Sequence, residues 1–194
     1  MSSLAIKRTP PSNPVIGNVA TAQVFSQLSN PLLPTALAVP GKLAIEAKKF
    51  TVRAEGNAYV NGAYTLKATL LAALVIPAVP FTSTNWTVLG SGTARAIATT
   101  TYAPWFIQAD CQFDSQSGIM HGVFSQLVND LYDGAAVLAA TVTGINGTNV
   151  IQNQGAAGVT PVAPTDPALY FAVALTFGTA GLNIGNLANF ELGF

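Results

Sequence analysis

The sequence predicts an all-β fold: an antiparallel β-sandwich or jelly roll of about eight strands over residues 42–194, behind an extended proline-rich N-terminal arm, residues 1–41. Three observations predict it. Apolar residues recur at every second position in segment after segment, the period of a half-buried strand. Gly, Asn and Pro clusters separate those segments, as turns between strands require. Helix start and stop signals are nearly absent. At 194 residues the chain is long enough for one well-buried domain.

The arm holds six of the twelve prolines: Pro10, Pro11, Pro14, Pro31, Pro34 and Pro40. Proline lacks an N–H and fixes φ, which disfavours a central strand or a helix interior. Apolar side chains are nevertheless present at Val15, Ile16, Val24, Phe25, Leu28, Leu32 and Leu33. An arm that docks on a neighbour fits this better than a solvated tail. An arm folded over its own domain fits the same residues, and a short helix over 21–29 is a further reading.

Strand signals follow in order. Phe50, Val52 and Ala54 alternate with Thr51, Arg53 and Glu55. Glu55-Gly56-Asn57 then reads as a turn, and Asn61-Gly62 as a hairpin. Tyr64, Leu66, Ala68 and Leu70 alternate with Thr65, Lys67 and Thr69, and 93–101 is a fainter strand. Trp105, Ile107, Ala109, Cys111 and Phe113 share one face, with Gln108, Asp110 and Gln112 on the other. Residues 114–118 make a turn, 119–126 a returning strand, and 136–143 another strand before the Gly/Asn-rich 144–158. Leu169, Phe171, Val173, Leu175 and Phe177 form the clearest late strand, and Phe190-Glu191-Leu192 the last.

Only 8% of the chain is charged, against about 25% in an ordinary soluble domain. Residues 1–97 carry a net +6 and residues 98–194 a net −6, cancelling overall. A surface so poor in charge suggests a chain covered by copies of itself or by a larger assembly. The split offers complementary faces, between subunits or between the halves of one subunit. Between subunits, Lys48, Lys49, Arg53 and Lys67 would face Asp110, Asp114, Asp130 and Asp133. Zero net charge and the absence of any basic run of three argue against nucleic acid. The longest apolar stretch, 68–81, is 14 residues broken by Pro77 and Pro80, short of the roughly 20 needed to span a bilayer. No apolar segment follows the basic residues near the start, so no secretory signal is expected. The lone Cys111 excludes an intrachain disulfide, which fits synthesis in a reducing cytoplasm.

No catalytic constellation competes with these readings. His121, the only histidine, has no G-x-S-x-G serine to serve, and reads as an ordinary strand residue. Cys111 lies on an apolar face, where burial suppresses the thiolate. Zinc sites of Cys and His are excluded by count. The four aspartates could offer oxygens to calcium but lack EF-hand spacing, and read as solvated or interface carboxylates. Gly90-Ser91-Gly92 is followed by neither a phosphate-loop lysine nor a third glycine, and reads as a turn. Asn85-Trp86-Thr87 and Asn146-Gly147-Thr148 match the glycosylation sequon by accident where no signal precedes them. Trp86, Tyr102, Tyr132 and Tyr170 could stack on a sugar or anchor an interface. No cofactor or metal is expected, and no enzymatic activity.

The rhythm of the chain resembles a known family. Phe50-Thr51-Val52-Arg53-Ala54-Glu55-Gly56 opens the domain. Trp105-Phe106-Ile107-Gln108-Ala109-Asp110 leads to Ser117-Gly118-Ile119-Met120-His121-Gly122. Phe171-Ala172-Val173-Ala174-Leu175-Thr176-Phe177 and Ala188-Asn189-Phe190-Glu191-Leu192 close it. The pattern, over roughly residues 43–194, is similar to the small jelly-roll virion proteins of tailed bacteriophages, including capsid decoration (cement) proteins. The resemblance implies a virion location, self-association (often as trimers), and attachment to the major capsid protein or another virion protein. It also implies an N-terminal arm that grips the shell, for which Lys7, Arg8, Val15, Ile16 and Phe25 are the candidates. On this expectation, removing residues 1–41 leaves a soluble sandwich that no longer binds particles.

Overall fold

The structure, a computed structural model, describes residues 6–8, 11–17, 22–39, 49–60, 64–73, 76–82, 86–92, 94–97, 102–114, 119–128, 141–144, 169–179 and 181–193. Among them there is no helix. The strands are β1 (Ile6–Arg8), β2 (Val15–Ile16), β3 (Gln23–Val24), β4 (Ala36–Val39), β5 (Lys49–Tyr59), β6 (Tyr64–Ala73) and β7 (Thr87–Ser91). They continue as β8 (Arg95–Ile97), β9 (Tyr102–Asp114), β10 (Ile119–Val128), β11 (Thr141–Gly144), β12 (Leu169–Phe177) and β13 (Ile184–Gly193). The expected all-β antiparallel sandwich is what forms.

Two sheets make the sandwich. Sheet 1 runs β1-β13-β5-β9-β10-β11, with β2 also on β13. Sheet 2 runs β3-β12-β6-β7, with β4 on β12 and β8 on β6. The chain is wound as a jelly roll: β1 and β2 pair with β13, β3 and β4 with β12, β5 with β9, and β6 with β7 and β8. Early strands thus pair with late ones outward from the fold-back between β6 and β7. The β10–β11 pair is an addition beyond β9, begun by the expected hairpin, in which Ile119 sits opposite Asp114.

In this winding the described residues of 1–41 fold over their own domain, one of the two readings of the arm, because they supply the two opening strands of the jelly roll, one to each sheet. Each is broken into short pieces with prolines at the breaks (Pro11 and Pro14 between β1 and β2, Pro31 and Pro34 between β3 and β4). Proline is tolerated on an edge strand and at its interruptions, so the proline pattern marks edges rather than an arm. The possible helix over 21–29 is replaced by β3. Val15, Val24, Phe25 and Leu37 are buried, and the Phe25 ring stacks on Trp105 with centroids 6.1 Å apart. Phe25 N–H donates to Val173 O across the sheet edge at 3.4 Å.

Two turn assignments also change. The Glu55-Gly56-Asn57 segment is the middle of an unbroken β5. Asn61-Gly62 lies outside the described residues, and the flanking β5 and β6 belong to different sheets. Gly90-Ser91-Gly92 is strand and its end, not a turn. A Cβ at Gly90 would meet the Phe124 ring at 2.5 Å, and one at Gly92 the Gln126 amide at 2.1 Å. These glycines let the two sheets come close.

Inward residues alternate along the strands, as the period-2 pattern requires: Val52, Ala54 and Ala58 on β5, Trp105, Ile107 and Ala109 on β9, Phe171, Val173, Leu175 and Phe177 on β12. One buried polar side chain ties the sheets together. Gln126, 3% exposed on β10, accepts a hydrogen bond from Ala68 N–H of β6 at 2.6 Å. Gln126→Leu removes that acceptor. The expected loss is about 1–3 kcal/mol of unfolding free energy, read as a lower denaturant midpoint at constant slope.

Sheet 2 is covered on its outer side as well. Val24, Leu71, Ala73, Ala172 and Ala174 form a second apolar cluster there under Trp86, with Ile76 packed against it. Trp86 Nε1–H donates to Pro80 O at 2.8 Å, and Val24 N–H to Phe81 O at 3.1 Å. Trp86 is therefore a lid on the sheet, not a sugar platform. Strand β12 is buried on both faces, which explains its near-continuous apolar run.

Candidate functional site on the open face of sheet 1

Among the described residues nothing covers the outer face of sheet 1 in this way, and strand register arranges it in rows. The first row runs Ile184–Tyr59–Tyr102 across β13, β5 and β9. The second is Asn186–Asn57–Pro104, and the third Asn189–Glu55–Phe106–Leu127. The fourth, Arg8–Glu191–Arg53–Gln108–Ser125–Val142, spans all six positions of the sheet, and the fifth carries Thr51 and Asp110. The face is apolar and aromatic at one end and polar at the other.

At the apolar end, Tyr102 is 70% exposed and its ring lies 5.4 Å from that of Tyr59, tilted by 46°. Ile184, in register with Tyr59, is exposed, as is Leu182 two residues before it. A groove of about 400 Å³ opens in the next rows, lined by Pro104, Phe106, Leu127 and Ala188 with Glu55 and Asn57. Ala188 falls at a bulge where the β13–β5 register shifts between Leu187 and Asn189. At the polar end, Arg53 Nε–H donates to Gln108 Oε1 at 3.1 Å. Gln108 Nε2 donates to Asp110 Oδ2 at 3.1 Å, and Thr51 Oγ1 to Asp110 Oδ1 at 2.8 Å. Asn189 Nδ2 donates to Glu191 Oε2 at 3.3 Å.

The residues expected to bridge subunits divide accordingly. Arg53 and Asp110 are linked through Gln108 within one chain, the intramolecular alternative for the charge split. Lys49 is exposed on this face. Lys67 is half-buried among the outward positions of β6, on the opposite sheet, so it cannot share a seam with Lys49 and Arg53. Asp114 ends β9, but its side chain, like Lys48, Asp130 and Asp133, lies outside the described residues. Of the expected shell-gripping residues, Val15 and Phe25 are corrected: they are core, because the opening strands bury them in their own sandwich. Lys7, Arg8 and Ile16 lie in β1 and β2, paired with β13, and their side chains lie outside the described residues.

Tyr170 packs against the outer cluster of sheet 2, and Tyr132, Asn85 and Asn146 lie outside the described residues. His121 and Cys111 stand on β10 and β9 at register positions opposite Gln112 and Gly122. Among the described residues no three His, Cys, Asp or Glu side chains gather as metal ligands, and no helix is long and apolar enough to cross a membrane. Sequence reading missed Tyr59, Pro104, Phe106, Leu127 and Ile184. The signal for three of them was available, since they occupy the outward positions of strands whose inward positions were assigned. No protein-family model matches the chain, and no curated protein matches its sequence.

Proposed function

We propose that the chain is a non-enzymatic virion structural protein of the capsid decoration type, which self-associates and stabilises a head shell. The observation that carries this reading is the uncovered apolar row Ile184–Tyr59–Tyr102 on a sandwich whose other sheet is covered by its own chain. Contiguous exposed apolar surface marks an interaction site, and tyrosine is enriched in the centres of such sites. The low charge of the chain points the same way, and its resemblance to phage virion proteins supplies the class of partner: further copies and the major capsid protein. The residues assigned to contact are Tyr59, Tyr102 and Ile184, with Lys49 at the polar end.

Native mass spectrometry of the purified chain, alone and with empty head shells, tests the proposal. The expected result is an oligomer that co-sediments with shells, and a Tyr102→Glu/Ile184→Asp variant whose attachment is weakened at least about tenfold. A parent chain that stays monomeric at millimolar concentration and ignores shells overturns it.

A second reading, glycan binding by the same face, is favoured by one observation. The Tyr59–Tyr102 pair lies within two rows of the Asn57 amide and the Glu55 carboxylate, the mixture of rings and hydrogen-bonding groups that a pyranose engages. A glycan array separates the readings: signal abolished by Tyr102→Ala, with oligomeric state unchanged, supports the second.

A further inference from the structure

One exposed apolar feature stands apart from the open face. The 28–33 turn, Leu-Ser-Asn-Pro-Leu-Leu, presents Leu28, Leu32 and Leu33 at 59%, 81% and 45% exposure. It is held firmly. Leu33 N–H donates to Asn30 O at 3.0 Å and Leu32 N–H to Asn30 Oδ1 at 3.1 Å. Gln27 N–H donates to Leu33 O at 2.9 Å, and Leu28 N–H to Pro11 O at 2.8 Å. The flanks are pinned in turn: Gln27 Nε2 donates to Pro34 O at 3.1 Å, and Asn13 Nδ2 to Gln27 O at 2.8 Å. Folding has thus fixed three leucines in water, where burial in a partner costs little further ordering.

We infer that this turn is a knob that seats in the Pro104–Phe106–Leu127 groove of a second copy. The inference rests on the assembly reading and names its contact. The groove's 400 Å³ is the volume of about a dozen water molecules, space that leucine side chains fill on displacing them. Its lining is mostly apolar, as the knob is, with Glu55 and Asn57 the polar members. The knob brings no ionisable group of its own. The leucines of a given copy are exposed, so they do not occupy that copy's own groove. Knob and groove are different surfaces of one chain, so the contact is head-to-tail, and it closes into a ring when the rotation per step allows. Such a ring accommodates the trimers that the resemblance implies.

Complementation tests the inference. A knob variant, Leu28→Ser/Leu32→Asp, and a groove variant, Leu127→Lys, are each checked for an unchanged thermal melt and then run by sedimentation velocity. Each alone is expected to self-associate roughly 100-fold more weakly than the parent chain. Mixed, they should form 1:1 dimers and nothing larger, because the pair retains one intact knob facing one intact groove. Parent-like assembly by both variants overturns the knob–groove contact while leaving the assembly reading standing. A monomeric parent chain that binds no shells removes both. A glycan array signal that Leu127→Lys abolishes in a monomeric parent reassigns the groove to sugar.

Discussion

A chain lacking residues 1–41 is expected not to fold. The deletion removes β1–β4, unpairs the outer edges of β12 and β13, and takes Val15, Val24, Phe25 and Leu37 out of the core. The sequence-based expectation of a soluble sandwich is thereby reversed. Phe25→Ala is the graded form of the experiment. Phe25 is fully buried and stacked on Trp105, so its truncation is expected to cost about 3–5 kcal/mol. That is a large share of the roughly 5–15 kcal/mol that holds a domain folded. Circular dichroism and thermal melting read both results. A cooperative melt from the truncated chain would show that the late strands suffice without their partners.

Gly56→Val is expected to be as severe through a different route. A Cβ at Gly56 would lie 1.8 Å from the Asn186 carbonyl oxygen and 2.9 Å from the Trp105 ring. That same carbonyl accepts the Trp105 Nε1–H hydrogen bond at 3.2 Å, so the backbone cannot retreat without breaking it. The expected loss exceeds about 4 kcal/mol, the range reserved for core disruption. Asn57→Val, one residue along on the exposed face, is the control and should stay within about 0.5 kcal/mol. Equal denaturant midpoints for the two variants would contradict the close approach at Gly56.

The strands legible in the sequence are those long enough to show alternation: β5, β6, β9, β10 and β12. On β5, β6 and β9 the described inward residues, Val52, Leu66 and Trp105 among them, were read correctly because one buried face imposes a period of two. The opening strands were not legible. At two to four residues each they carry no period, and their partners lie at the far end of the chain, Ile6 against Gly193 and Val15 against Gly185. Gly56 was read as a turn because glycine alone does not say whether it frees the backbone or makes room for another. Asn61-Gly62 announces a reversal, but not which sheet receives the returning strand.

The intramolecular reading of the charge split has a topological basis. Jelly-roll winding interleaves the two halves of the chain, and β5 lies between β13 and β9. A basic first half and an acidic second half therefore become neighbours in one sheet, as Arg53 and Asp110 do through Gln108. The candidate binding face was the least legible element. Its rows are cross-strand neighbours, and no local window contains Ile184, Tyr59 and Tyr102 together.

The covered outer side of sheet 2 sets a limit on growth. Among the described residues, beyond Val79 and Val88, isolated exposures of an ordinary kind, it offers a second layer no large apolar foothold. On the proposed contacts, a molecule built this way has a sticky front, a flank for its siblings and an inert back. A sheet of such molecules laid on a support would stop thickening after one coat.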